Sequence, residues 1–373
     1  MSILGWMLSQ WSTLPYPDQN CNGRTIIITG GNSGLGLEAA RHFVRLNAAK
    51  VILACRSVKR GDDAKRDIEA SEKRNGVIEV WQLNLGSFQS VKDFAARAAK
   101  LERLDVLLNS ASILVHDWVI VEGHETMVTV NVISTFLLTI LLLPTLSRTA
   151  ARHNVAPHVT IVSSNGAFMA SFPERSADNV FSMLKINKNF TDRYNITKLL
   201  QLMLMRKLAA ASDGDDGASG NNQGQHRRRI IINALHPGLC RTQLFRRSFW
   251  PLSWAVWLAF ALFGRSPEMG SRTLLVAACA GSETHGRWMT DCKTQDWPLV
   301  VERDESNRVM DKVWGELAEI LEGIEPGVRE YSFYLPVDPH QHCEYDDYYS
   351  YQGEIALKRW MTDYPYYAKF SPD

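Results

Sequence analysis

A short β-branched segment runs into a glycine-rich turn and then into a helical pattern close to the start of the chain. Residues 25–36 read TIIITGGNSGLG, and the amphipathic pattern continues to Leu46. Glycine lets the backbone approach a bound group closely, and the N-terminus of the following helix adds the positive end of its dipole. The spacing Gly30-x-x-x-Gly34-x-Gly36 differs from G-x-G-x-x-G, and the turn lacks the Lys-Ser/Thr pair of a P-loop. The segment therefore predicts a strand–turn–helix unit that can hold a diphosphate.

Strand and helix patterns alternate along most of the chain, and the strand candidates are continuous apolar runs, as in strands buried on both faces of a parallel sheet. The predicted strands are Thr25–Thr29, Lys50–Cys55, Ile78–Leu83, Val106–Asn109, Val159–Ser163 and Ile230–Leu235. The predicted helices are Leu35–Leu46, Val58–Arg74, Ser87–Lys100, Thr126–Leu143, Arg193–Ala211, Pro267–Ala280 and Asp304–Leu321. This alternation predicts an α/β fold with a doubly wound parallel sheet (a Rossmann fold), which binds ligands at the carboxyl ends of its strands.

The pattern is typical of a single domain with an extension at each end. We expect an N-terminal extension over residues 1–21, the α/β domain over 22–325, and a C-terminal appendage over 326–373, which is rich in Tyr, Asp and Pro. Residues 212–226 are rich in Gly, Asp, Asn and Gln, and they predict a surface loop because strand-like sequence resumes at once.

Charge and cysteine usage exclude several classes of protein. The formal net charge of +1 gives no bulk attraction to nucleic acid or to an anionic membrane. The six cysteines are widely spread without a C-x-x-C pair, so neither a metal site nor a disulfide framework is predicted. Residues 1–11 lack the basic start of a signal peptide, and the longest apolar run, Val132–Leu146, is too short for a membrane span and predicts a buried helix. A cytoplasmic protein is expected.

Residues at the predicted strand ends are suited to a dinucleotide. Arg56 follows the second strand, where an acidic residue usually holds the ribose 2′-hydroxyl of NAD and a cation receives the 2′-phosphate of NADP. Arg56 therefore favours NADP. Asn84 and Leu85 follow the third strand and Asn109 ends the fourth, and such small or amide side chains leave room for adenine and ribose.

Candidate catalytic groups follow in the second half of the pattern. Asn131 lies inside an otherwise apolar helix and needs hydrogen-bond partners there. Ser164 follows the fifth strand, and Tyr194 and Lys198 lie four residues apart, so they share one helix face. A Tyr–Lys pair at this spacing is common by chance, and its position after the Ser-Ser strand end is what makes it informative.

Together these motifs resemble the short-chain dehydrogenase/reductase family, over roughly residues 22 to 325. The matching pieces are Thr29-Gly30-x-x-x-Gly34-x-Gly36, Asn109-Ser-Ala-Ser, Asn131, Ser164, Tyr194-x-x-x-Lys198 and Pro237-Gly238-x-x-x-Thr242. Within the family the chain resembles retinol-dehydrogenase-like and fungal secondary-metabolism members, which tend to use NADP. The resemblance implies an active-site tetrad of Asn131, Ser164, Tyr194 and Lys198. It also implies a cofactor site formed by Gly30, Asn32, Ser33, Gly34, Leu35, Gly36, Arg56, Asn84, Leu85, Asn109, Tyr194, Lys198, Pro237, Gly238 and Thr242.

The sequence departs from the family pattern in three places. The last glycine of the family's Asn-Asn-Ala-Gly is Ser112 here, and the usual acid after the third strand is Asn84. The gap between Ser164 and Tyr194 is long, and we expect its extra residues, about 165 to 190 with Phe168, Phe172 and Phe181, to form a lid or wall.

The implied reaction is NADP-dependent hydride transfer between nicotinamide and a carbonyl or alcohol of a bulky hydrophobic small molecule, as in secondary metabolism. We expect Lys198 to favour the phenolate form of Tyr194, which acts as general acid or base. Ser164 would bind the substrate oxygen, and Asn131 would hold a water that links Lys198 to solvent.

Aromatic residues crowd the segment after Pro237-Gly238: Phe245, Phe249, Trp250, Trp254, Trp257, Phe260 and Phe263. Three roles are compatible with these residues. They could bind a large apolar substrate, pack onto the core or a partner subunit, or make shallow contact with a membrane surface. Family members often form homo-oligomers through the helices that carry Asn131 and Tyr194.

Two other classes of protein compete with the enzyme. A non-catalytic NADP-sensing regulator on the same fold typically lacks the Tyr–Lys pair, which this chain keeps. A methyltransferase usually has an acid after the second strand, where this chain has Arg56.

Overall fold

The computed structural model describes residues 9–188, 190–212, 230–242, 262–297, 301 and 304–331, all within one compact unit, Met1–Leu335. Its strands are β1 (Thr25–Thr29), β2 (Lys50–Cys55), β3 (Ile78–Gln82), β4 (Val106–Asn109), β5 (Ile120–Val121), β6 (His124–Glu125), β7 (His158–Val162), β8 (Ile231–His236), β9 (Trp288–Thr290) and β10 (Lys293–Gln295). The described strands form an eight-stranded sheet in the order β10-β9-β8-β7-β4-β1-β2-β3, and β5 and β6 form a separate hairpin. Pairing in the large sheet is parallel except between β9 and β10. The predicted α/β fold with a doubly wound parallel sheet is confirmed.

Helices cover both faces of the sheet. They are α1 (Gly34–Arg45), α2 (Val58–Glu72), α3 (Phe88–Ala98), α4 (Thr126–His153), α5 (Val180–Met183), α6 (Arg193–Ser212), α7 (Pro267–Cys279), α8 (Asp304–Ile324) and α9 (Val328–Tyr331). Short 3₁₀ turns lie at Asn165–Met169, Pro173–Ser176, Phe190–Asp192 and Ser282–Thr284.

The order in which successive strands are added to the sheet reverses at β1, which pairs with β2 on one side and with β4 on the other. Thr29 at the end of β1 lies opposite Ala54 of β2 and Asn109 of β4. The loops that follow these strands therefore part at the carboxyl edge of the sheet and open a cleft there, as is usual where the strand order reverses.

Helix α4 is long and apolar enough to cross a membrane by length and composition, but 89% of its most apolar window is buried inside the protein. This confirms the buried-helix prediction for the run Val132–Leu146. The predicted end at Leu143 is wrong, because the helix continues through Pro144 to His153. Burial of Leu142, Leu143 and Leu146 in the core holds this helix together despite the proline.

The apolar faces of α4 and α6 are covered by the end of the domain. Helix α8 packs on α6 through buried residues that include Val313 and Leu317, and α9 packs on α4 with Val328 buried. The leucine-rich face of α6 thus belongs to the core of this chain.

Candidate active site

A cleft of about 900 Å³ opens at the carboxyl edge of the sheet. Most of the predicted site residues line it. They are Gly30, Asn32, Ser33, Gly34, Leu35, Gly36, Arg56, Asn84, Leu85, Ser164, Tyr194, Lys198, Pro237, Gly238 and Thr242. Asn109 and Asn131 are not among its lining residues.

The glycine turn between β1 and α1 is shaped by its lack of side chains. Gly30 and Gly34 have φ values of 71° and 56°, in the left-handed region that favours glycine. A Cβ atom on Gly36 would lie 2.7 Å from the carbonyl oxygen of Gly30, so no other residue fits where the helix meets the turn. The N-terminus of α1 consequently faces the cleft with its backbone close to whatever binds there.

Two arginines lie at the edge of the cleft beside β2. Arg56 and Arg60 are exposed and line the cleft, together with Ser57, whose hydroxyl caps the N-terminus of α2 by accepting from the Arg60 backbone N–H. Arg60 was not predicted. Its position four residues after Arg56, at the start of α2, could have indicated that it lies at the same cleft.

Asn84 lines the cleft after β3, and its Oδ1 accepts a hydrogen bond from the Gly86 backbone N–H at 3.1 Å. This local turn fixes the amide side chain where the family usually has an acid.

Ser164, Tyr194 and Lys198 meet at one part of the cleft. Ser164 follows β7, and its Oγ hydrogen-bonds the Tyr194 phenol and accepts from the Gly166 backbone N–H at 3.1 Å. Lys198 Nζ lies 5.7 Å from the centroid of the Tyr194 ring. The neighbouring Ser163 does not join them, since its hydroxyl donates to the backbone carbonyl of Lys198 at 3.0 Å and ties α6 to β7.

Burial shifts both titratable groups of the pair toward their neutral forms. It raises the pKa of the Tyr194 phenol to about 12, partly offset by the hydrogen bond with Ser164. It lowers the pKa of the Lys198 ammonium to about 7. The expected phenolate-favouring effect of Lys198 is therefore not seen in the protein alone, where removal from water is the larger effect.

Asn131 lies behind the cleft, in a π-helical turn at Thr129–Ile133 that interrupts α4. Its Oδ1 accepts from the Ile113 N–H at 2.9 Å, and its Nδ2 donates to the Ile113 carbonyl at 3.0 Å and to Thr197 Oγ1 at 3.2 Å. The side chain thus ties the loop after β4 to α4 and α6, and the hydrogen-bond partners expected for this amide are present.

The expected water link from Asn131 to Lys198 stays a prediction, and the structure shows a further connection between these two residues. The Asn131 backbone carbonyl accepts from Gln201 Nε2 at 2.6 Å, and Gln201 Oε1 accepts from Lys198 Nζ at 3.0 Å. A buried amide side chain thus joins the two groups directly. Gln201 was missed, although a polar residue within the apolar run Leu199–Met205 is the same signal that drew attention to Asn131.

Asn109 differs from its predicted role. Its side chain is buried and donates to Thr139 Oγ1 of α4 at 3.1 Å, so it faces the helix layer and not the cleft. The following loop lines the cleft with Ser110, Ala111 and Ser112. Ser112 does not adopt a left-handed conformation, so the loop accommodates serine where the family usually has glycine.

The long segment between Ser164 and Tyr194 is a wall packed on the domain. Phe172 and Phe181 are buried in the core, and Phe168 packs edge-on against Trp288 with ring centroids 4.8 Å apart. Arg193 is fully buried and donates to the carbonyls of Leu184, Ile186 and Lys188, with Glu174 3.8 Å away. From this wall, Met169 reaches the cleft while remaining largely exposed.

The loop after β8 is braced by the N-terminal extension. Gly238, with φ 82°, lines the cleft beside Leu239, whose backbone N–H donates to Gln10 Oε1 at 2.7 Å. Arg265 holds the same loop from behind, because its backbone N–H donates to the Leu239 carbonyl and its side chain pairs with Asp291 at 2.5 Å.

The aromatic segment after this loop is only partly described. Phe263 stacks on Trp11 with ring centroids 5.4 Å apart. Phe245, Phe249, Trp250, Trp254, Trp257 and Phe260 lie outside the described residues.

Comparison with known proteins agrees with this geometry. The family profile described as short chain dehydrogenase matches residues 24–175. The chain is 39% identical over 334 residues to the short chain dehydrogenase/reductase dmxR8 of Cryptosporiopsis sp. (strain 8999), covering 87% of this chain and 99% of that protein. The chain belongs to the short-chain dehydrogenase/reductase family. It is therefore an oxidoreductase of the kind that binds a nicotinamide cofactor.

Other short-chain dehydrogenases show the same relation. The short chain dehydrogenase atnD of Emericella nidulans is 42% identical over 288 residues, covering 76% of this chain and 88% of that protein. Among solved structures, a 3-oxoacyl (acyl-carrier-protein) reductase from Agrobacterium tumefaciens C58 with NADP bound has a TM-score of 0.54 at 20% identity, covering 78% of this chain and 96% of that chain. The Pseudomonas aeruginosa RhlG/NADP active-site complex has a TM-score of 0.53 at 23% identity, covering 74% and 97%. The two structures share the fold.

Proposed function

We propose that this short-chain dehydrogenase transfers a hydride between NADP(H) and a carbonyl or alcohol carbon of a bulky apolar small molecule. The observation that carries the proposal is the meeting of Ser164, Tyr194 and Lys198 in the same cleft that the glycine turn and Arg56 line. A non-catalytic sensor needs the glycine turn and the arginine, but it has no need for a phenol, a hydroxyl and an ammonium brought together.

The residues present fit a dinucleotide. The Gly30–Gly36 turn brings backbone and a helix N-terminus to the cleft without side chains in the way, which suits a diphosphate. Asn84 and Leu85 line the same cleft and would contact the adenine, and the Pro237-Gly238 loop with Thr242 lines it together with Tyr194 and Lys198.

The preference for NADP rests on charge. A 2′-phosphate at the end of β2 would meet Arg56 and Arg60, and guanidinium groups bind phosphate through paired hydrogen bonds. The two solved structures named above carry NADP, which supports the same choice.

The proposed mechanism assigns each side chain one task. The bound nicotinamide supplies or accepts the hydride. The Tyr194 phenol donates a proton to the substrate oxygen during reduction and takes it back during oxidation. Ser164 Oγ, which already hydrogen-bonds the phenol, stabilises negative charge on that oxygen. The Lys198 ammonium lowers the energy of the phenolate once Tyr194 has given up its proton.

Apolar residues favour a bulky hydrophobic substrate. Ile113, Leu114, Val115, Val121 and Met169 line the part of the cleft formed by the loop after β4, the β5–β6 hairpin and the wall. Such a lining binds an extended apolar skeleton with few polar contacts. The resemblance to fungal secondary-metabolism enzymes suggests a polyketide- or terpenoid-like carbonyl compound.

Two measurements test the proposal. Fluorescence titration with NADPH, with NADH as the matched control, reports binding and cofactor preference. The absorbance of the reduced nicotinamide then reports turnover on a panel of hydrophobic ketones and aldehydes. Tight NADPH binding with turnover on a bulky ketone is the expected result. Equal affinity for NADH would contradict the NADP assignment, and binding without turnover across the panel would favour the regulator.

A further inference from the structure

Gln201 connects two groups that the proposed chemistry uses. It lies three residues after Lys198 on α6 and is 1% exposed. Its Oε1 accepts from Lys198 Nζ at 3.0 Å, and its Nε2 donates to the Asn131 backbone carbonyl at 2.6 Å. Both ends of the side-chain amide are therefore used, and their direction is set by the two partners.

The π-helical turn explains why the Asn131 carbonyl can accept this bond. The interrupted helix ladder leaves carbonyl groups that side chains must satisfy. Thr135 Oγ1 donates to the Val130 carbonyl at 3.0 Å, and Gln201 donates to the Asn131 carbonyl one residue later. Gln201 thus satisfies a carbonyl group in the interrupted part of the helix.

Neutral dipoles surround the Lys198 ammonium. Besides Gln201, the backbone carbonyl of Val162 on β7 accepts from Nζ at 2.9 Å. Among the described residues no carboxylate and no other cation shifts the pKa of Lys198, and Tyr194 is the titratable group that faces it. An ammonium buried without a counter-ion depends on the carbonyl oxygens that accept its protons.

We propose that Gln201 is a positioning residue that holds the Lys198 ammonium beside Tyr194 and links it to the Asn131 carbonyl. This role rests on the proposed function, since it acts through Lys198 on the acid–base group.

The decisive variant is Gln201→Met, which keeps the side-chain volume and removes both hydrogen bonds. Leu200→Met is the matched control, because Leu200 is buried on the same helix and contributes no hydrogen bond to the site. With a substrate that the wild type turns over, Q201M should lose about 10- to 100-fold in kcat, as expected for losing a hydrogen bond to a charged group. Its affinity for NADPH should stay within about 3-fold of the wild type, since Gln201 does not line the cleft.

The pH profile separates positioning from a packing role. Without the acceptor, Lys198 loses its proton more readily, and the phenolate of Tyr194 is less favoured. The acid limb of the alcohol-oxidation profile should then move to higher pH by about half a unit or more in Q201M and stay in place in L200M. A lower melting temperature with an unchanged pH profile would overturn the proposal, as would equal effects of the two variants.

Two further measurements keep the inference independent of folding and of the proposed function. If Q201M does not fold, Q201N retains an amide too short to span both partners, and a wild-type pH profile in Q201N would overturn the role. If the wild type binds NADPH but reduces no carbonyl, the proposed function fails, and the unfolding free energy still reports on Lys198. Stability should begin to rise with pH at a lower pH in Q201M than in the wild type, and coinciding curves would exclude contact between Gln201 and the ammonium.

Discussion

The Lys198 ammonium lies 5.7 Å from the centre of the Tyr194 ring, and no carboxylate among the described residues acts on the pKa of Lys198. Burial raises the pKa of the phenol to about 12 and lowers that of the ammonium to about 7. Near pH 7 the phenol is therefore protonated and the Lys198 amine is only partly protonated, so ionisation of Tyr194 needs a further positive charge beside it. The oxidised form of a nicotinamide carries such a charge, so cofactor binding and activation of Tyr194 are expected to be coupled.

Replacing Tyr194 with Phe should remove acid–base catalysis and leave the cleft intact. We expect kcat to fall by about 100-fold or more, with the Kd for NADPH nearly unchanged. Turnover from absorbance and binding from fluorescence measure the two effects separately. Near wild-type turnover in Y194F would remove the phenol from the mechanism.

Stability should depend on pH through Lys198. Its pKa in the folded protein is about 7, below the ordinary value of 10.5, so between these values the unfolded chain binds more protons than the folded one. Unfolding free energy due to this group must therefore rise as the pH increases from about 7 to about 10.5. Chemical denaturation of the wild type and Lys198→Met across this window measures the effect, which should amount to a few kcal/mol and be absent from the variant. Parallel curves would contradict it.

Arg56 should set the cofactor preference. Arg56→Ala is expected to raise the Kd for NADPH by about 10- to 100-fold, because a charge-assisted bond to the 2′-phosphate is lost, and to leave the Kd for NADH unchanged. Lys59→Ala is the control, since Lys59 is a neighbouring exposed cation that does not line the cleft. If K59A weakened NADPH binding as much as R56A, general surface charge would account for the preference.

Glu316 should stabilise the wall of the cleft. Its two carboxylate oxygens accept from the backbone N–H groups of Val180 and Phe181, each at 2.9 Å, and so cap α5 from helix α8. Glu316→Ala should lower the free energy of unfolding by about 1–3 kcal/mol and raise KM for bulky ketones more than for small ones. Glu319→Ala, which replaces an exposed glutamate one turn further along the same helix, is the control for thermal melts and kinetics. An unchanged melting temperature in E316A would show that the cap adds no stability.

Much of the fold could be predicted because its strands are buried on both faces. The apolar runs at β1, β2 and β4 begin and end where the strands do, since alternation with polar residues is not required there. The glycine spacing and the Tyr194-x-x-x-Lys198 motif likewise predicted the turn and the face of α6 that line the cleft.

The parts of the fold and of the site that were not predicted depend on packing between segments that are distant in the sequence. The pairs β5–β6 and β9–β10 have strands of only two or three residues, too short for a periodic pattern. Asn109 ends β4 as predicted, yet strand geometry turns its side chain to Thr139 and away from the cleft. The bond between Gln201 and Asn131 joins residues 70 positions apart through a helix break, which no local pattern encodes.

The cover that α8 and α9 place on α6 and α4 has a consequence for how the enzyme works at low concentration. One copy of the chain supplies the reacting groups and also the apolar backing on which their helices rest. Turnover per molecule should then remain constant on dilution from micromolar to nanomolar protein, and a fall in specific activity over that range would show that a second copy completes the catalytic unit.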